Sequence, residues 1–251
     1  MSDSRLMRLV GDKIQEKEDG LIWTCASDIE PEPVIWLWKD MIPQGKITLF
    51  AGESGVGKTQ VLCDVMARVS TGRPFPGTST PAPIGKALYL SGDNDGNKDT
   101  IVPRLIACGA DRSKIVIQGS TKADGDGYAL YDELDNITQR MHDDGGFKLF
   151  IIDPLTSFFR DGHDNNSPTS VRKVLSRLGD LAEETGVAVI HVNHLTKDEN
   201  RKGVHRILGS SAYTAGSRVV MGAVKKDDNF YLGKWNANVT SERGVYTYQM
   251  A

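Results

Sequence analysis

Gly52-Glu53-Ser54-Gly55-Val56-Gly57-Lys58-Thr59 satisfies every fixed position of the pattern G-x-x-x-x-G-K-[ST]. The glycines of that pattern let successive backbone N–H groups turn toward a polyphosphate. The flanks have the form the pattern requires. Ile47-Thr48-Leu49-Phe50-Ala51 leads in as a short apolar run and reads as a buried strand. From Lys58 onward, Val61, Leu62, Val65, Met66 and Val69 recur at helical spacing, and Gly72 stands where a helix would end. Strand, glycine loop and helix N-terminus together make an anion site, because the helix dipole adds positive potential where the amides converge. Gly52, Glu53, Ser54, Gly55, Val56, Gly57, Lys58, Thr59 and Gln60 are therefore the expected cradle of a nucleoside triphosphate. Lys58 is expected at the β- and γ-phosphates, and the Thr59 hydroxyl on a Mg²⁺ ion.

Size and charge narrow what surrounds this loop. A chain of 251 residues suits one large α/β domain, or one domain with an arm. Lys and Arg number 30 against 33 Asp and Glu, a net charge of −3, so contact with nucleic acid has to come from local loops. No apolar run approaches the roughly 20 residues a membrane helix needs, and the first residues lack the apolar core of a signal peptide. A cytoplasmic protein without a membrane partner is the expectation. Cys25, Cys63 and Cys108 are far apart in sequence and form no C-x-x-C pair that would mark a metal or redox site, and Cys63 and Cys108, in helical patterns, read as buried, reduced packing residues.

The periodicities predict an α/β fold: a mostly parallel central sheet with helices on both faces and a C-terminal antiparallel extension. Residues 1–32 read as a polar arm and linker, and 33–251 as the nucleotide-binding domain. The segment from Leu21 to Pro43, which contains Trp36-Leu37-Trp38, is expected to run extended and to pack its aromatics on the core. Strands are expected at residues 87–90, 115–117, 149–153 and 187–192, with short late strands at 219–224, 231–235 and 245–248. The clearest helix follows Ser167. That residue caps it, Pro168 takes the first helical position, and Gly186 follows its end.

Beyond the P-loop, Phe150-Ile151-Ile152-Asp153 is an apolar strand that delivers an acid, the form of a Walker B element that holds Mg²⁺ directly or through water. Hydrolysis also needs a group that orients or deprotonates water. The turn after the second core strand offers Asp93 and Asp95, and a strand running beside the P-loop strand would bring Asp93 to the γ-phosphate. An Asp-rich turn with no further role is the competing reading. His194, at the end of the fifth strand, is placed to sense the γ-phosphate, although a surface histidine fits the spacing too. His191, inside that strand, reads as core. Two loops, residues 155–168 and 196–211, follow the fourth and fifth strands, where such sheets bind ligands. The second carries Lys197, Arg201, Lys202, His205 and Arg206, a set able to follow a phosphate backbone or to stay solvated. Phe158 and Phe159 offer stacking surfaces, or core.

Taken together, the P-loop, Leu88-Tyr89-Leu90-Ser91, Ile152-Asp153-Pro154-Leu155, His194-Leu195-Thr196-Lys197, Arg206-Ile207-Leu208-Gly209-Ser210-Ser211-Ala212 and Lys234-Trp235-Asn236 resemble the RecA-like ATPases of the DnaB and plasmid RepA helicase group. The resemblance begins at Glu30-Pro31-Glu32-Pro33 and runs to the last strand. It implies hexameric rings with ATP between subunits and Mg²⁺ as the cofactor ion. It implies Asp93 as the water-activating carboxylate, where the family usually has the longer Glu, and His194 as the γ-phosphate sensor. It also implies cations acting on a neighbouring subunit's nucleotide, with Lys234 and Arg206 favoured over Arg218.

The expected function is Mg²⁺-dependent ATP hydrolysis by a ring-forming motor on single-stranded DNA, a helicase or translocase. Two rivals are an ATPase switch of the same fold acting on a protein partner, and a small-molecule P-loop kinase, for which the sequence shows no arginine-bearing lid.

Overall fold

The computed structural model describes residues 8–10, 13–15, 23–92, 97–119, 129–159, 165–196, 203–209 and 211–249. The chain divides into two compact units, Met1–Pro33 and Val34–Ala251. In the first, β1 (Arg8–Val10) and β2 (Lys13–Gln15) pair antiparallel, with Arg8 opposite Gln15. A 3-10 turn follows at Ala26–Asp28.

The second unit opens with a small hairpin, β3 (Trp36–Trp38) and β4 (Ile42–Pro43). The extended segment expected there folds back on itself. Its turn holds Asp40 at φ 62, a left-handed conformation uncommon for a residue with a side chain. Trp38 is buried and stacks on Phe75 at 5.1 Å.

The rest of the unit alternates as its periodicities require. In chain order come β5 (Ile47–Gly52), α1 (Lys58–Thr71), β6 (Lys86–Ser91), α2 (Val102–Ala107), β7 (Ile115–Gly119), α3 (Leu130–Asp144), β8 (Phe147–Asp153), α4 (Pro168–Thr185), β9 (Ala188–His194), α5 (Ala212–Ala215), β10 (Val219–Lys226), β11 (Asn229–Ala237) and β12 (Val245–Tyr248). A π-type turn, Asn97–Ile101, leads into α2, and Pro103 lies in the first turn of that helix, where its missing N–H breaks no bond. The Ser167 hydroxyl accepts from the Ser170 N–H at the start of α4, and Gly186 ends that helix at φ 69.

Eight strands form one sheet in the order β12-β11-β10-β5-β9-β8-β6-β7. The six from β10 to β7 are parallel, and β11 and β12 add antiparallel at one edge. Side-chain alternation divides the core in two. Phe50, Tyr89, Ile151 and Met221 pack with Leu62 and Met66 of α1 on one face. Leu49, Phe150, Ile152 and Val189 pack with Leu134 of α3 and Leu178 of α4 on the other. Burial on both sides explains why every residue of β5 is buried and why the strand reads as a continuous apolar run.

The sheet order differs from the expectation for the second core strand. The second core strand, β6, does not run beside the P-loop strand. The neighbours of β5 are β9 and β10, and β9 and β8 stand between β5 and β6. The connection through α1 skips two positions, which opens a crevice at the carboxyl ends of β5, β9 and β8, where open parallel sheets bind ligands.

Candidate nucleotide-binding site

Every part of the site sits at that crevice for a local reason. The fully buried β5 ends at Gly52, and α1 begins at Lys58. Between them the chain turns so sharply that Gly57, at the helix N-cap, takes φ 77, which a side chain would oppose. Glu53, Ser54 and Gly55 are exposed and Val56 is buried, so the loop is anchored on its core side and open on the other.

Lys58 folds back over the loop it terminates. Its Nζ donates to the Gly52 carbonyl at 3.0 Å and to the Glu53 carbonyl at 2.9 Å, and the residue is 8% exposed. Thr59, one residue on, donates its hydroxyl to Asp153 Oδ2 at 3.2 Å. Asp153 ends β8, two strands away, and the same oxygen accepts from the buried Tyr89 hydroxyl at 3.0 Å. The motif's threonine and the strand-end acid, 94 residues apart, therefore meet as expected.

Hard oxygen donors of this kind suit Mg²⁺, which takes one or two protein oxygens and completes its shell with water and phosphate. Among the described residues no group of three or more His, Cys, Asp or Glu converges to enclose an ion by itself. The Thr59–Asp153 pair fits a metal shared with a phosphate chain.

The other expected residues fall in different places. His194 closes β9 directly opposite Gly52 in the parallel register, half-buried at the crevice. Asp93 and Asp95 lie outside the described residues, as do Lys197, Arg201 and Lys202. The chain leading to Asp93 starts from the right end of the sheet, since Ser91 pairs with Asp153 and the Gly92 N–H donates to the Asp153 carbonyl at 2.8 Å. The Gln60 amide is turned to Cys108 Sγ, at 3.3 Å.

Arg206 and Lys234 are both engaged within their own chain. Arg206 Nη2 pairs with Glu53 Oε1 of the P-loop at 2.8 Å and donates to the Thr196 carbonyl at 3.2 Å. Lys234 Nζ donates to the Asp40 carbonyl at 3.0 Å, and burial lowers its pKa below the usual lysine value. Arg218 donates its backbone N–H to the Ile47 carbonyl at 2.8 Å. Phe158 is core, and Phe159 sets its ring edge-on to Tyr213.

His191 is wholly buried, its Nε2 3.1 Å from Ser217 Oγ, and desolvation pushes its pKa down to about 4, so it is a neutral core residue. Cys63 and Cys108 are free thiols, and burial drives Cys63 up to about 12, which leaves it unreactive.

Two contacts of the site were not foreseen. Tyr89 orients Asp153, and its signal was a lone polar ring tip in the aliphatic strand Lys86–Ser91. Tyr248 of β12 donates to the Val56 carbonyl, tying the edge strand to the P-loop. Nothing local to Tyr248 announces that contact.

The sheet order, with the P-loop strand beside β9 and an acid-bearing β8 beyond it, together with the Lys58–Thr59–Asp153 cluster, defines a RecA-like P-loop ATPase fold. A family model described as "AAA domain" matches residues 16–200, and the chain belongs to that family. The match contains the P-loop, Asp153 and His194 and ends before Arg206 and Lys234.

Curated relatives agree with the class. The DNA repair protein RadA of Mycobacterium tuberculosis is 28% identical over 160 residues, 62% of this chain and 28% of the relative. RadA of Aquifex aeolicus is 26% identical over 162 residues, 64% of this chain and 31% of its own length. The human meiotic recombination protein DMC1/LIM15 homolog is 27% identical over 161 residues, 61% of this chain and 45% of the relative. The chain thus spans less than half the length of each. No helix among the described residues is long and apolar enough to cross a membrane.

Proposed function

We propose that the protein hydrolyses ATP with Mg²⁺ and uses the cycle to act on single-stranded DNA, as a ring-forming member of the DnaB and RepA type. The observation that carries the ATPase reading is the meeting of Thr59 and Asp153 at 3.2 Å, one residue from the Lys58 that closes the P-loop. Lys58 neutralises the β- and γ-phosphates, while Thr59 and Asp153 are the residues that would hold a Mg²⁺ ion beside them. Mg²⁺, when bound, withdraws charge from the transferring phosphoryl group. Asp93 orients the attacking water, and His194, one strand over from Gly52, responds to the γ-phosphate. Lys234 is the late-strand cation assigned to a neighbouring copy's nucleotide. That the relatives are a DNA repair protein and a meiotic recombination protein supports DNA as the polymer on which the cycle acts. Residues 1–32 serve as an arm outside the ATPase domain.

The test is ATP turnover with and without single-stranded DNA, with native mass by light scattering in the presence of nucleotide. The expected result is DNA-stimulated turnover by a ring-sized species. A monomer whose turnover ignores DNA would sink the motor reading. Asp93→Asn should slow hydrolysis while sparing ATP binding; unchanged turnover would move the water-orienting role to Asp95.

A further inference from the structure

Arg206 was expected to serve a neighbouring subunit, yet the fold places it at its own P-loop. The Glu53 carboxylate holds its guanidinium at 2.8 Å, while the Glu53 carbonyl accepts from the phosphate-binding Lys58 at 2.9 Å. The main chain around Arg206 is stitched to the end of β9. The Thr196 N–H donates to the Arg206 carbonyl at 2.7 Å, Leu195 and Ile207 form an antiparallel bridge, and the Leu208 N–H donates to the His194 carbonyl at 2.9 Å. His194 is in register with Gly52. Segment Gly203–Arg206 is thus tied to the P-loop twice, through the β9 backbone and through the Glu53–Arg206 pair.

Stability alone is a poor account of that pair. The Glu53 side chain is 51% exposed, and half-exposed ion pairs add little. The Arg206 Nε–H is buried and finds no acceptor among the described residues, which costs more than such a pair contributes. A guanidinium presents five N–H donors in a planar fork suited to phosphate, and toward the described residues Arg206 makes its contacts through Nη2.

We propose that Glu53 is a positioning residue that holds Arg206 beside its own P-loop, and that Arg206 acts in cis: it recognises the terminal phosphate of the bound nucleotide and reports it to segment Gly203–Arg206. The inference rests on the nucleotide-site reading above and goes beyond it. It makes discrimination between tri- and diphosphate a property of the single chain.

The test measures the affinity of fluorescent ADP and of a fluorescent non-hydrolysable ATP analogue at dilutions where light scattering shows monomer. Wild type should favour the triphosphate. Arg206→Gln should shrink that preference about tenfold, as expected for one lost charge-assisted contact, with ADP affinity nearly unchanged. The double exchange Glu53→Arg with Arg206→Glu restores an ion pair but presents no cation from position 206. It should keep the folded stability of wild type and still lack the triphosphate preference.

If the exchanged protein regains the preference, no cation is needed from position 206 and the proposal fails. It fails too if Arg206→Gln leaves the ratio untouched, or if mixing Arg206→Gln with Lys58→Ala restores hydrolysis, since complementation requires action in trans. Failure of the wild type to bind either nucleotide would instead overturn the nucleotide-site reading itself.

Discussion

The P-loop and the late basic positions were both expected to touch ATP, and the fold treats them differently. At the P-loop, Lys58 and Thr59 are held by short sequence spacings, and the distant acid that Thr59 meets, Asp153, arrives because β8 must end where the other parallel strands end. At the late positions, Arg206 and Lys234 reach partners 153 and 194 residues away in sequence, Glu53 and Asp40, that no spacing rule connects to them. A phosphate loop is a local object, fixed by glycines, a helix start and one lysine. A cation delivered by a loop or an edge strand is a product of topology, and its role depends on which backbone the fold brings beneath it.

The contrast breaks first, and hardest, at Lys58. If the P-loop is the nucleotide site, Lys58→Ala removes the cation from the developing charge and also releases the Gly52 and Glu53 carbonyls it caps. Turnover measured by phosphate release should fall at least about a hundredfold, the usual cost of losing one transition-state donor. Turnover near wild type would show that the lysine is only a structural cap and would erase the distinction between the two regions.

His191 tests the strand that joins them. It lies in β9 below His194, facing Ser217 and packed on Tyr213 at 5.9 Å, and its neighbour on the same strand face, Asn193, is equally buried. Its folded pKa of about 4 lies below the ordinary 6.5, so the unfolded chain binds the proton more readily than the native one. The stability from this residue is complete above pH 6.5 and is lost as pH falls toward 4, by up to about 3 kcal/mol. Thermal unfolding of His191→Gln against wild type at pH 7 and pH 4.5 measures it. The variant should lose less stability on acidification, and parallel losses would mean that His191 is not excluded from protonation.

What was legible follows the same division. The strands around the P-loop, the capped helix from Ser167 and the Asp153 strand end all declared themselves, because each is written within about twenty residues by periodicity and cap chemistry. The neighbours of β5 did not. Strand order depends on crossovers, and nothing in residues 86–91 says that two strands will come between them and the P-loop strand. The β3–β4 hairpin was hidden for another reason: its turn places Asp40, not glycine, at positive φ, so the usual turn signal is absent. The Trp235 ring, which lies so close over Gly222 that a Cβ there would fall 1.8 Å from it, is likewise a pairing that only the sheet register reveals.

Lys234 gives the smallest effect and the finest distinction. Its ammonium and the Thr240 hydroxyl both bind Asp40, at the carbonyl and at Oδ1 (2.7 Å), and so hold the turn that carries the positive φ. If that is its whole task, Lys234→Met keeps the stem, loses one hydrogen bond and lowers stability by about 1 kcal/mol. Turnover per chain should then match wild type at every protein concentration. If Lys234 also reaches a neighbouring copy's nucleotide, the same variant should match wild type when dilute and fall behind only as the protein assembles. Turnover followed across a dilution series, beside denaturant unfolding of the same variant, separates the two. A loss that grows with assembly makes Lys234 a shared residue of the site, and a flat ratio leaves it as the clasp of the β3–β4 turn.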